Sequence, residues 1–169
     1  STHEGEEKMI LNAHQELLKK HPDLLLILVP RHPERFNQVE ELIQKSGLSY
    51  KKRSQFEPLE QTIQVLLGDT MGEMMVLYGL AEIAFVGGSL VKHGGHNPLE
   101  PIAFELPVIS GVHTYNFPEI FDKLRSVHGV IEVESSAALA QTVAFLLENR
   151  NAREKIARYG FEVLKENQG

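Results

Sequence analysis

The chain has 169 residues, 42% of them hydrophobic, no cysteine, a formal charge of -6 and an isoelectric point near 5.7. That is enough for one domain with a substantial core, while the missing thiols exclude a disulfide framework, a thiolate metal site and a thiol nucleophile. The acidic balance argues against a general nucleic-acid binder, no apolar run approaches the about 18 residues needed to span a bilayer, and the N-terminus does not read as a signal peptide. Helical and strand patterns alternate, which predicts a parallel α/β sheet in a single domain over 1–169. Ser1 or Thr2 is placed to cap a helix running to about Lys20, with Glu4, Glu6 and Glu7 in its first turn. His21-Pro22 ends it, and Leu24 to Val29 reads as a strand. Pro33 to Ser46 reads as a helix closed by Gly47 in the left-handed conformation. Strands are then expected at Leu48 to Arg53 and Ile63 to Leu67, a short helix at Met71 to Leu80, and a strand at Glu82 to Val86. The series finishes with the strand Val108 to Ser110, the helix Pro118 to Arg125, the strand Val130 to Val133, and helices at Ser136 to Glu148 and Ala152 to Lys165. There is no internal repeat.

The most informative stretch is Gly87-Gly-Ser-Leu-Val-Lys-His-Gly-Gly-His-Asn-Pro-Leu-Glu-Pro101, a strand-to-helix connection. Asn97 is placed to cap a helix with Pro98 in its first turn, and the new helix would offer free N–H groups to a phosphate. Four glycines let the main chain come close to a ligand, and Glu100 would meet sugar hydroxyls. Together these suit a nucleotide-sugar site; the plain alternative is a glycine-rich turn followed by a capped helix. Ligands of open α/β sheets bind beyond the carboxyl ends of strands. Pro30-Arg31, Met71-Gly72-Glu73 and Asn97 to Glu100 all follow predicted strands. Arg31 has a permanent charge and a fixed fork of donors for a phosphate or carboxylate, and otherwise a surface salt bridge. His93 and His96 invite a metal reading, but a closed four-ligand set is lacking and no metal is expected. Lys51-Lys-Arg53 reads as a solubilising run on an edge strand, and Phe117, Phe121 and Leu124 as core.

Five blocks in order carry a family resemblance: Ser1-Thr-His-Glu-Gly-Glu-Glu7, Pro30-Arg-His-Pro-Glu-Arg-Phe36, Gly68-Asp-Thr-Met-Gly-Glu73, the glycine-rich loop with His-Asn-Pro-Leu-Glu-Pro, and His113-Thr-Tyr-Asn-Phe117. The chain resembles the bacterial Kdo transferases, GT-B glycosyltransferases that move 3-deoxy-D-manno-octulosonate (Kdo) from CMP-Kdo onto a lipid A precursor in lipopolysaccharide biosynthesis. The resemblance implies a Rossmann-like C-terminal half of a GT-B enzyme, inverting and metal-independent, with no cofactor. It implies donor binding by Pro30, Arg31, Met71, Gly72, Glu73, Gly88, Ser89, His96, Asn97, Pro98, Leu99 and Glu100. The general base, the lipid acceptor site and the membrane anchor belong to an N-terminal domain outside this chain. No catalytic residue is therefore assigned here, and the chain alone is expected to be inactive and soluble. The full-length enzyme would sit at the cytoplasmic face of the inner membrane.

In that family a strand precedes the Ser-Thr-His block and occupies the middle of a sheet of order 3-2-1-4-5-6. Its absence would leave two strand edges facing a gap. Two rival readings stay open: a related GT-B transferase or epimerase using a UDP-sugar, and a non-catalytic nucleotide-binding module sharing only the fold.

Overall fold

A computed structural model describes residues 1–55 and 63–168. The elements are α1 (Glu6–Leu18), β1 (Leu26–Leu28), a 3-10 turn (Pro33–Arg35) leading into α2 (Phe36–Ser46), β2 (Tyr50–Lys52) and β3 (Val65–Leu67). They continue with α3 (Met74–Gly79), β4 (Ala84–Val86), α4 (Leu99–Ile102), β5 (Val108–Ser110), α5 (Pro118–Ser126), β6 (Ile131–Glu132), α6 (Ser136–Glu148) and α7 (Arg150–Gln168). The predicted alternation is present, and Gly47 ends α2 at φ 78°.

The strands form two separate three-stranded parallel sheets, β1-β3-β2 and β4-β5-β6. β3 lies between β1 and β2, with Val65 opposite both Leu26 and Tyr50. The order expected from the family is thereby corrected: β3 pairs inside the first sheet rather than across the centre. β2 is an edge strand, as its Lys51 and Lys52 suggested. The facing edges of the two sheets, β1 and β4, do not pair. Between them lies a cavity of about 450 Å³ lined by Leu26, Leu28, Ala84 and Phe85 from the strands and by Leu17 and Leu77 from the helices. The sequence reading expected two strand edges to face a gap here.

Ser1 and Thr2 enter that gap at its upper end. Thr2 does not cap α1; it bridges Pro30 in parallel register, its N–H donating to the Val29 carbonyl (2.8 Å) and its own carbonyl accepting from Arg31 N–H (2.9 Å). The residue before α1 is instead Gly5, at φ 87°. A local helix rule favoured Thr2 as a cap, and a partner 28 positions away overrode it.

Two apolar clusters fill the molecule. One joins α1, β1, α2, β3 and α6 through Ile10, Leu17, Leu28, Val39, Ile43, Leu67 and Leu146. The other joins β4, α4, β5, α5 and α7 through Val86, Ile102, Val108, Phe121, Leu124 and Val163. Phe121 and Leu124 are fully buried, with Phe117 packed beside them, as their helical spacing predicted. Ser135 caps α6 by accepting from Ala138 N–H at 3.1 Å.

Candidate donor site

The loops at the carboxyl ends of β1 and β4 are joined by residues just before and at the start of α1. The Glu6 carboxylate is fully buried and accepts from four backbone N–H groups: His3 (3.3 Å), Gly88 (2.8 Å), Ser89 (3.2 Å) and Leu90 (3.1 Å). Burial raises its pKa, an effect opposed by the bonds from Gly88, Leu90 and His3. Glu7, also fully buried, is held by Arg35 in a two-pronged ion pair with both N···O distances 2.9 Å. The pair raises the Arg35 pKa, chiefly through the hydrogen bond. Glu6 and Glu7 lie in the first turn of α1, where the sequence reading placed them, and beyond that they anchor loops, a role it did not assign. The signal was present: Glu6, Glu7, Ile10, Leu11, His14 and Leu17 fall on one helical stripe, and all six are buried.

The glycine-rich loop closes on itself and on β5. Gly95 N–H donates to the Gly88 carbonyl and His96 N–H to the Gly87 carbonyl, both at 3.1 Å, with Gly88, Gly94 and Gly95 at positive φ. Gly87 has no room for a side chain, since a Cβ there would stand 1.8 Å from the Ser1 carbonyl oxygen. Asn116 donates to the carbonyls of His93 (2.8 Å) and Gly95 (3.2 Å), which ties the His113 to Phe117 block to the loop. Ser89 is a departure from the expected donor contacts. Its hydroxyl donates to the Val86 carbonyl (2.5 Å) and accepts from Gly111 N–H (2.7 Å), so it pegs β4 to β5 from the interior.

Asn97 Oδ1 accepts from Leu99 N–H at 3.0 Å in a turn just before α4, whose capping position is Pro98 rather than the expected Asn97, and the bond leaves the Asn97 carboxamide NH2 without a protein partner among the described residues. Pro98 is buried and Leu99 packs on the second apolar cluster, so both hold the turn. Glu100 is exposed one turn on, and its charge contributes to raising the Tyr78 pKa to about 12, behind burial as the larger cause. Tyr78 was not singled out from sequence; its place on α3, which packs against α4, brings it to Glu100. Arg31 is exposed at the end of β1, beside the Thr2 carbonyl that its N–H bonds. Pro30 is the residue bridged by Thr2.

The third predicted segment heads α3. Met71 is 66% exposed and Gly72 has φ 77°. Glu73 bonds the Thr70 hydroxyl and pairs with Arg53 at 2.9 Å, contacts that lower its pKa, the Thr70 bond most. Its side chain is thus committed to the protein, which leaves the backbone amides at the head of α3 as what this segment has to offer a ligand.

Histidines fill the space between these loops. His3 and His96 approach with Nε2 to Nε2 at 2.9 Å, the His93 ring stacks on His3 at 4.1 Å, and His32 meets His3 edge-on at 5.6 Å. Burial, followed by neighbouring positive charge, lowers the pKa of both His3 and His96 to about 4. Among the described residues no helix is long and apolar enough to cross a membrane.

Residues 1–163 match the family model described as "Glycosyl transferases group 1". A 3-deoxy-D-manno-octulosonic acid transferase of Haemophilus influenzae is 57% identical over 170 residues, covering all of this chain and 40% of the relative. The chain therefore spans well under half the length of that curated relative. The crystal structure of the C-terminal CMP-Kdo binding domain of WaaA from Acinetobacter baumannii superposes with a TM-score of 0.92 at 36% identity, over 97% of this chain and 86% of that one. The C-terminal domain of a group 1 glycosyl transferase (LpcC) from Francisella tularensis shares the fold, with a TM-score of 0.64 at 20% identity over 94% and 77% of the two chains. Matched by the family model over nearly its whole length, with parallel sheets arranged as in the C-terminal half of a GT-B enzyme, the chain belongs to the group 1 glycosyl transferases.

Proposed function

We propose that this chain is the donor-binding half of a Kdo transferase, taking CMP-Kdo at the rim formed by Arg31, the Met71 to Glu73 turn and Asn97 to Glu100. The observation that carries the reading is the Asn97 to Glu100 turn: Asn97 Oδ1 is taken by Leu99 N–H, its NH2 has no protein partner among the described residues, and the exposed Glu100 carboxylate follows three residues on. The NH2 suits a phosphate oxygen and the carboxylate a ribose diol. Arg31 at the end of β1 supplies the fixed positive charge, and His96 lines the rim between them. The likeness to a domain described as binding CMP-Kdo supports cytidine over uridine nucleotides.

Transfer to a lipid A precursor, by inversion at the anomeric carbon and without a metal, would use an acceptor site and a base supplied by the remainder of a longer protein. Membrane attachment would come from that part too. In this division of labour the present residues bind and orient the donor and stabilise charge on the departing CMP. Ser89 and Gly88 then serve by shaping the loop.

A titration of the ¹⁵N-labelled chain with CMP and with UDP tests the reading. CMP is expected to shift the amides of Arg31, Gly72, Asn97 and Glu100 together, and at lower concentration than UDP. Shifts confined to α6 and α7, or a preference for UDP, would overturn it.

A further inference from the structure

His3 and His96 are fixed from their backbones. His3 N–H is held by Glu6, and His96 N–H by the Gly87 carbonyl. Their rings lie nearly parallel (8°) and meet Nε2 to Nε2 at 2.9 Å. Such a contact needs one Nε2–H and one bare Nε2, so the pair carries either no charge or a single positive charge; two imidazolium rings would set two N–H groups head to head. The pair is enclosed by titratable and charged groups from every neighbouring element: the Ser1 amine, Glu6 and Glu7 from the N-terminal segment, Arg31 and His32 after β1, His93 in the glycine-rich loop, and Glu100 on α4. His3 is only 9% exposed, and His96 is half-buried.

We propose that the His3–His96 pair is a chargeable anion clamp, neutral while the rim is empty and taking up one proton from solvent when a nucleotide phosphate settles beside it and Arg31. This rests on the nucleotide reading above and adds to it a coupling between protonation and binding of the free nucleotide monoester, the group that leaves in transfer. With the rim empty, burial and the Arg31 cation favour the neutral pair, consistent with pKa values near 4. A phosphate dianion reverses the balance: it offsets Arg31 and rewards a second cation. The incoming proton occupies a bare ring nitrogen, the Nε2 contact keeps its single shared proton, and His93, stacked at 4.1 Å, shields the charged ring from water. The clamp would respond to the phosphate and not to the base or ribose.

Calorimetry of CMP binding at about pH 7.5, where a phosphate monoester with a second pKa of about 6 is already the dianion, tests this in Tris, Hepes and Pipes buffers. The observed heat should vary linearly with buffer ionisation enthalpy, with the slope of net proton uptake. Ring ¹⁵N spectra of the unaltered chain should change from neutral tautomers to an imidazolium pattern at His3 or His96 on saturation. His96→Gln should abolish the uptake and weaken CMP about tenfold, while cytidine binding stays within twofold. Buffer-independent heat together with unchanged ring nitrogens, while Arg31 and Asn97 still respond to CMP, would overturn the clamp and leave the nucleotide site standing. No response to CMP anywhere would overturn both.

Discussion

Replacing Glu6 by glutamine tests the hub that joins α1 to the glycine-rich loop. In the native chain Oε1 accepts from His3 and Gly88 while Oε2 accepts from Ser89 and Leu90, all in a site closed to solvent. Glutamine keeps the shape and one oxygen but turns an NH2 toward two of those four amides. Two buried donors lose their acceptor, at about 1–3 kcal/mol each, for a gross loss of about 2–6 kcal/mol. Removing a buried charge recovers part, because burial disfavours the ionised form enough to raise the Glu6 pKa. We expect a net loss of about 2–4 kcal/mol, which in a domain of this size is a fall in Tm of roughly 5–15 °C. Urea unfolding gives the first figure and thermal unfolding the second. Amide exchange should quicken most at Ser89 and Leu90 or at His3 and Gly88, according to which oxygen the amide replaces. Glu6→Ala, which orphans all four donors, should be worse. A glutamine variant within about 0.5 kcal/mol of the native chain, with exchange in 88–90 unchanged, would refute the reasoning.

Arg35→Ala should cost about 3–5 kcal/mol, because it strands the buried Glu7 carboxylate, and Arg35→Lys should not restore the loss since an ammonium cannot reproduce both bonds; urea unfolding of the two variants checks this. His3 and His96 have folded pKa values near 4 against an ordinary 6.5, so between those values the unfolded chain binds more protons and stability falls as pH drops from 6.5 to 4; a Tm series against pH should show that slope, shallower in His3→Asn. Asn97→Ala should lose about 1 kcal/mol with its bond from Leu99 N–H, whereas Glu100→Ala, on the surface, should change stability by less than about 0.5 kcal/mol. Both should cripple Kdo transfer in the longer protein, and full activity in either would remove that residue from the donor site. The chain alone should transfer no Kdo from saturating donor to lipid acceptor, since the orientation advantage of up to about 7–11 kcal/mol needs both reactants held. Turnover abolished by Glu100→Ala would place the base here.

Elements governed by local chemistry were legible in the sequence. β5 and α6 have the expected bounds, Val108 to Ser110 and Ser136 to Glu148, and Gly47 ends α2. Strand ends were read too long at Glu82 and Ile83, because pairing starts only where Ala84 meets Val108. The bridging role of Thr2 and the anchoring roles of Glu6, Glu7 and Ser89 went unread for one cause. Each bonds a partner 22 to 84 positions distant, which a rule confined to neighbouring residues does not see. The local bond of Asn97 to the start of α4 was legible because acceptor and donor lie two residues apart, though the capping position itself falls on Pro98. The meeting of His3 with His96 was not, because it depends on Thr2 first finding Pro30.

The Thr2 bridge also acts as a gauge block. Neighbouring strands stand about 4.7–4.9 Å apart, so one extended segment inserted between the end of β1 and the start of the glycine-rich loop spaces them by about two such intervals, roughly 9.5 Å. Ser1 and Thr2 are that segment at the rim, with Gly87 stripped of a side chain to let the main chains touch. The mouth between Arg31 and the glycine-rich loop is therefore set by backbone thickness for as long as position 87 stays glycine, and substitutions of side chains that face the mouth leave that dimension alone. Evolution can revise the chemistry of either lip while the aperture stays constant.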